Sequence, residues 1–437
     1  MIKFISHVLH EFVYRQNALT AKQPTAFGFK FTCILVSAFA SASAFAFDFY
    51  PEYQGISETE LARIESPTEI DSEYQSQINA YTAPIQREFA WFTTNKALDT
   101  SVGSITNQHF LIHSRAKFDA ALLENLRFRF TYFAMRDREI DQTRSVVELS
   151  QRLTSWLHVN AYGQADHYKR GNDVGFALLI LPVENWENRF YATFHDFTRG
   201  NHNDQPDRYI GLDPLSLGWN SLYTSANTLL RTGVRFDRSV SWNLPQLGET
   251  FAYEKQLAYA DLLWPLTETT ALGLRVQWDT TFKGQTPLPA ASGTPSSFKR
   301  ERVFSRLSYF SGLPEDWISY ETSFMFASRH WIDKNGLHLY HQNLMPSATV
   351  RVRSVRREQG FDHFQVALEA TDFRTLGDLA LAPGNQKHQA FEERLQTAYE
   401  FNFRAGGLLL LALNFDLDEW SGLPTFDGGN AQFRVNF

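Results

Sequence analysis

The stretch LRFRFTY at residues 126–132 decides the fold. Leu126, Phe128, Phe130 and Tyr132 alternate there with Arg127, Arg129 and Thr131. Successive side chains of a strand point to opposite faces, so this period leaves one face apolar and loads the other with guanidinium groups. The same pattern runs outward from it along the chain. Leu272, Leu274, Val276 and Trp278 alternate with Gly273, Arg275, Gln277 and Asp279, and Phe364, Val366 and Leu368 alternate with His363, Gln365 and Glu369. Phe433, Val435 and Phe437 stand against Gln432, Arg434 and Asn436.

Alternation alone also suits a soluble β-sandwich, and the connections choose between the two. Short turns fall at 122–125, 154–155, 182–187, 265–269, 312–316 and 404–406, and longer polar connections at 200–216, 283–299, 329–341 and 375–387. Short turns at one end and long loops at the other are the asymmetry of a barrel in an outer membrane, with the turns in the periplasm. Trp156, Trp186, Trp264 and Trp317 each lie beside a short turn, which places them on one membrane-interface girdle. Strands are expected at 86–97, 105–120, 125–137, 143–153, 157–167, 174–182, 188–197, 217–226 and 229–241. They continue at 251–264, 270–282, 300–311, 316–328, 342–356, 362–374, 388–402, 407–418 and 429–437. The fold class is therefore all-β, a transmembrane antiparallel β-barrel of about 18 strands spanning residues 86–437. Sixteen is the other even count the pattern admits, because the pairs around 217–241 and 342–374 are the least sharply bounded.

The chain has 437 residues, 15% aromatic and 20% charged, with a formal net charge of -7, which gives nucleic acid no electrostatic footing as a partner. Residues 31–47 (FTCILVSAFASASAFAF) follow Lys22 and Lys30 and end in small residues, the form of a cleaved secretory signal, so residues 1–46 read as an N-terminal extension and signal peptide. After Phe47 no run of eighteen apolar residues occurs, so no helix crosses a membrane. The single cysteine, Cys33, lies in the removed segment, leaving no disulfide, thiolate metal site or cysteine nucleophile. Residues 47–85 are polar and acidic. Ser57 with Glu60 has capping-box spacing, and Ile70, Tyr74, Ile78 and Tyr81 recur at helical intervals, which predicts short helices lying in the periplasm or folded into the pore as a small plug.

A signal peptide, alternating strands, girdle Trp residues, no cysteine in the mature chain and a final Phe437 after Phe433 and Val435 resemble the Gram-negative outer-membrane porin-type barrels. Strand count, length and Arg-rich inward faces are similar to the alginate-export and substrate-specific porin groups. The resemblance implies an outer-membrane location after export, contact with outer-membrane lipid and lipopolysaccharide, insertion by the barrel-assembly machinery, and a monomer or homotrimer. It also implies that Phe437 is an assembly signal.

If the apolar face meets lipid, the other face lines the lumen. Pore-lining candidates are Arg115, Lys117, Arg127, Arg129, Arg152, Arg231, Arg235, Arg275, Arg302, Arg306, Arg351, Arg353, Arg394 and Arg434. Asp119, Glu148, Asp166, Asp237, Asp279, Glu321 and Glu369 oppose them. Surplus Arg favours anionic solutes, because the guanidinium fork matches carboxylate and phosphate; interleaved charges that only bond one another are the plainer reading. The adjacent pairs Asp166-His167, His195-Asp196 and His113-Ser114 cannot be catalytic couples, since neighbours in a strand face opposite ways. No G-x-S-x-G, H-E-x-x-H or phosphate loop occurs, and no catalytic residue, metal or cofactor is assigned. The function expected is a channel for small hydrophilic, anionic solutes, with export of an anionic polysaccharide and a barrel hydrolase as the alternatives.

The role given to Phe437 is tested by ending the chain at Asn436. An assembly signal predicts a large drop in outer-membrane, heat-modifiable barrel with degradation in the periplasm, whereas normal outer-membrane levels would leave Phe437 as one more girdle ring.

Overall fold

The chain's structure, a computed structural model, describes Trp91 and residues 94–104, 110–136, 141–166, 171–199, 209–210, 215–225, 227–244, 249–287, 295–312, 316–333, 335–357, 360–377, 389–403, 407–417 and 425–436. Its strands are β1 (Lys96–Ser104), β2 (Phe110–Leu123), β3 (Leu126–Arg136), β4 (Asp141–Arg152), β5 (Leu157–Asp166), β6 (Gly171–Val183) and β7 (Trp186–Arg199). Then follow β8 (Tyr209–Ile210), β9 (Leu215–Ser225), β10 (Thr228–Leu244), β11 (Glu249–Pro265), β12 (Thr270–Pro287) and β13 (Ser296–Ser311). The remainder are β14 (Ile318–Ile332), β15 (His338–Arg357), β16 (Gly360–Leu376), β17 (Gln389–Phe403), β18 (Gly407–Asp416) and β19 (Thr425–Asn436).

All belong to one antiparallel sheet. Each long strand pairs with the next, β7 with β9 directly, and β1 pairs with both β2 and β19. The short β8 pairs with the far end of β10 at Trp242 and Asn243. Eighteen long strands thus close on themselves. Closure is demanded by the medium: a sheet edge facing hydrocarbon leaves backbone donors and acceptors that nothing there can satisfy.

Two expectations need correction. The first strand is Lys96–Ser104, not 86–97, and β19 closes against Ala97–Gly103. The connections expected at 283–299 and 329–341 are mostly strand: β12 runs on to Pro287, β13 starts at Ser296, and only 333–337 separate β14 from β15. Alternation fades there because both faces of a strand beyond the membrane are wet, while the backbone ladder continues. Within the long connection 200–216, Tyr209 and Ile210 pair with β10. Phe437 and the segments 1–46 and 47–85 lie outside the described residues.

The two faces separate as the sequence period requires. Phe118, Leu149, Phe176, Phe190, Phe236, Leu307, Phe324, Phe364 and Leu413 are all exposed, while Arg115, Glu148, Asp173, Arg189, Arg235, Arg306, Gln365 and Asn414 are buried. In a closed sheet the buried face is the concave one. Charge is inside, hydrocarbon outside. Trp156, Trp186, Trp264 and Trp317 are 42–63% exposed, all at the short-turn end. Among the described residues no helix is long and apolar enough to cross a membrane, which says nothing of strands.

Glycine opens space for aromatics on the inner face. The Tyr162 ring lies over Gly175, where a Cβ would come within 2.0 Å of it, and the Tyr191 ring lies over Gly218, where the gap would be 2.3 Å. Tyr162 cannot easily yield, because its hydroxyl is 2.6 Å from Thr193 Oγ1. Overpacking of this kind costs about 1–3 kcal/mol. Gly175→Val should therefore lower the temperature at which the folded, heat-modifiable form is lost, and adding Tyr162→Ala should recover part of the loss; no effect of Gly175→Val would mean that this face is not packed as described.

Candidate functional site: the charged interior

Strand register puts carboxylates and guanidinium groups side by side on the inner face. A pattern recurs in which one carboxylate serves two guanidinium groups. Asp99 accepts from Arg115 at 3.1 Å and from Arg434 at 3.0 Å, and also from Gln432 at 2.7 Å. Asp119 takes Arg127 at 2.9 Å and Arg129 at 3.0 Å. Asp261 takes Arg231 at 3.3 Å and Arg275 at 3.2 Å. Glu148 holds Arg189 at 3.1 Å with Arg129 further off at 3.7 Å, and receives the Asn160 amide at 2.7 Å. A charge taken out of water needs such partners, and the planar guanidinium supplies several donors to each carboxylate.

The other candidates sit in simpler pairs. Arg302 binds Asp279 at 2.7 Å, Arg306 binds Glu321 at 2.8 Å, Arg235 binds Asp237 at 2.8 Å, and Arg394 lies 3.7 Å from Glu369. Lys117 donates to the Trp91 carbonyl at 3.3 Å, while the Arg115 guanidinium stacks 4.3 Å from the Trp91 ring. Near the short turns the cations have looser company. Arg152 bonds the Asn125 side chain at 3.0 Å and Arg353 lies 4.5 Å over the Phe361 ring. The Arg127 side chain is 48% exposed. Arg351 is buried on the inner face of β15. The expected set is thus spread around the wall in local groups, not gathered at one centre. The side chain of Asp166 is outside the described residues.

Sequence reading missed Asp99, Arg189 and Asp261 as partners, and missed a network across β6, β7, β9 and β10. His195 Nδ1 lies 2.9 Å from Asp173 and its Nε2 2.5 Å from Ser216 Oγ. Ser216 donates to Asp237 at 2.6 Å and accepts from Arg235 at 3.2 Å. Asp173, His195 and Ser216 stand in the order of a hydrolytic triad. Ser216 is fully buried, and its hydroxyl is shared between the imidazole and a second carboxylate, Asp237, within the packed wall. What the network does is tie together the strands flanking residues 200–214. Among the described residues no group of three or more His, Cys, Asp or Glu is placed to hold a metal ion.

A closed antiparallel sheet with an apolar exterior, aromatic rings at one rim and an ion-paired interior is a transmembrane β-barrel. No family model matches the chain, and no curated sequence matches it. Solved structures similar to it include OccAB3 of Acinetobacter baumannii, 9% identical over 78% of this chain and 98% of that one, with a TM-score of 0.39. OccK2 (OpdF) of Pseudomonas aeruginosa is 8% identical over 79% of this chain and 98% of that one, with a TM-score of 0.39. Wzi of Escherichia coli, an outer-membrane carbohydrate-binding β-barrel involved in group 1 capsule assembly, is 9% identical over 94% of this chain and 98% of that one, with a TM-score of 0.36.

The Asp99 cluster joins β1, β2 and β19, and its removal strands two guanidinium groups at the closing seam. Asp99→Ala should lower unfolding stability by about 3–5 kcal/mol, the cost of breaking a buried ion pair. Arg127→Gln, at a half-exposed site, should cost under about 1 kcal/mol. Urea titration of heat-modifiability compares them, and equal losses would remove the seam's special role.

Proposed function

We propose that the chain is an outer-membrane channel that admits small hydrophilic solutes bearing carboxylate or phosphate. The observation that carries this is the stoichiometry of the inner face: carboxylates shared by two guanidinium groups leave a positive surplus, with fifteen buried Arg and Lys against nine buried Asp and Glu among the described residues. A surplus held in a low-dielectric wall favours anion entry, and the guanidinium fork offers two parallel donors to a planar carboxylate. Arg127, Arg152, Arg351 and Arg353, near the short turns, are the groups on which a passing anion would rest.

In this reading the short turns face the periplasm, and Trp156, Trp186, Trp264 and Trp317 form the interface girdle there. Trp91 supports an interior course for the chain before β1, since its ring is buried against Arg115 and Lys117 on the inner face. Residues 47–85 then lead into the barrel and narrow it as a small plug, after a signal peptide has been removed. Lipopolysaccharide surrounds the barrel, and the barrel-assembly machinery inserts it.

Bilayer electrophysiology tests the proposal. Across a salt gradient the wild-type barrel should conduct with an anion-selective reversal potential, and Arg127→Gln, Arg351→Gln and Arg353→Gln combined should move that potential toward cations, because lumen substitutions tune selectivity without destabilising the wall. An unchanged potential, or a barrel that never conducts, contradicts the channel as stated.

A further inference from the structure

The outer wall is not apolar everywhere. On the outward faces of β11, β12 and β13, residues Gln256, Thr280 and Glu301 are direct cross-strand neighbours, and His330 and Tyr340 continue the same row onto β14 and β15. Around the first three lies a cavity of about 300 Å³ that Glu254, Gln256, Trp278, Lys299 and Glu301 help to line. These side chains point away from the lumen: their strand neighbours Lys255, Leu257, Gln277, Asp279, Arg300 and Arg302 are the buried, inward ones.

The row's height follows from the strand. Gln256 is eight residues above Trp264 on β11, about 27 Å along the strand and about 21 Å along the membrane normal at a tilt near 40°. An apolar band is about 25 Å tall. With Trp264 at the periplasmic rim, the Gln256 row lies just inside the outer edge of that band, and the row of Glu254, Phe282 and Lys299 two residues further out reaches the outer leaflet's headgroups. What reaches the cavity is a membrane component, not a solute in transit.

The chemistry selects among membrane components. An aromatic face beside carboxylate and amide groups suits a sugar ring, whose C–H face packs on the indole while its hydroxyls and amide N–H bond to oxygen. Glu301 is held in place by the Trp278 indole N–H at 2.8 Å, and Glu254 by the Gln256 amide at 3.0 Å, so each carboxylate is oriented before a ligand arrives. Lys299, exposed at the rim, supplies a cation for phosphate. Beside them His330 stacks on Tyr340 with ring centroids 4.2 Å apart and lies 2.8 Å from the His338 ring nitrogen, a second polar and aromatic edge. The cavity's volume is at the small end of ligand pockets, suited to one or two sugar rings.

We infer that this outward cavity binds the phosphorylated amino-sugar headgroup of the outer-leaflet glycolipid, with Trp278 as the ring platform, Glu254 and Glu301 taking sugar hydroxyl and amide donors, and Lys299 on a phosphate. The inference rests on the outer-membrane reading and adds a fixed lipid site to it.

The test uses the full barrel in a zwitterionic detergent without sugar, titrated with lipid A, with lipid A lacking its phosphates, and with phosphatidylglycerol, bound lipid being counted by native mass spectrometry. Lipid A should bind at least tenfold more tightly than phosphatidylglycerol. Trp278→Leu should erase most of that preference, and Lys299→Ala should weaken lipid A but not its dephosphorylated form. Heat-modifiability is followed alongside. A protein that is soluble without detergent and never heat-modifiable overturns the membrane reading itself. A folded barrel with equal affinity for lipid A and phosphatidylglycerol, or one whose lipid A affinity is the same in both variants, overturns the site alone.

Discussion

Everything in this structure follows from the fact that a backbone crossing hydrocarbon must satisfy its own hydrogen bonds. A sheet meets that demand only by closing, and closure here falls on one seam, the pairing of Ala97–Gly103 with Asn430–Asn436. The seam is fastened twice: by the backbone ladder, and on its inner side by Asp99, which receives donors from β2 and β19 together. A residue near the start of the sheet thus depends on two near its end.

Closure then sorts the side chains. Outside, lipid rewards apolar groups, and the exposed Phe and Leu that would be liabilities on a soluble protein become the means of residence. Inside, crowding and partial desolvation force charges into company, and the company chosen is two guanidinium groups to a carboxylate. One consequence is cohesion between neighbouring strands. The other is the surplus of buried Arg and Lys over Asp and Glu on which the proposed function rests. The His195 network belongs to the first category: it binds β7 to β9 and β10 just where the longest gap between consecutive long strands, 200–214, deprives them of a short turn.

Most of the barrel was legible because period-two alternation is a local signal, and Leu126 to Tyr132 or Leu272 to Asp279 can be read without knowing their neighbours. The first strand was not, because the chain just before it carries aromatics that suggest a lipid face, whereas Trp91 turns its ring inward onto Arg115. The extensions of β12 to Pro287 and of β15 back to His338 were missed because water on both sides removes the alternation while leaving the ladder intact. Cross-strand chemistry was the hardest part. Asp173 and His195 are 22 residues apart, and His195 and Ser216 21 apart, so their meeting depends on register, which composition does not encode. Glu254 and Glu301 fell inside expected strands but were not singled out for a related reason: an outward carboxylate means nothing until the height of its strand in the membrane is known.

The central claim is that one face of each strand meets lipid and the other an aqueous interior. Cys33 is the only cysteine of the chain, so single cysteines introduced one at a time from Leu272 to Asp279, with Cys33 replaced, can be labelled in liposomes by a water-soluble and by a lipid-soluble maleimide. Positions 273, 275, 277 and 279 should react with the first reagent and positions 272, 274, 276 and 278 with the second. Uniform reaction with the water-soluble reagent, or alternation in the opposite phase, would contradict the barrel as described.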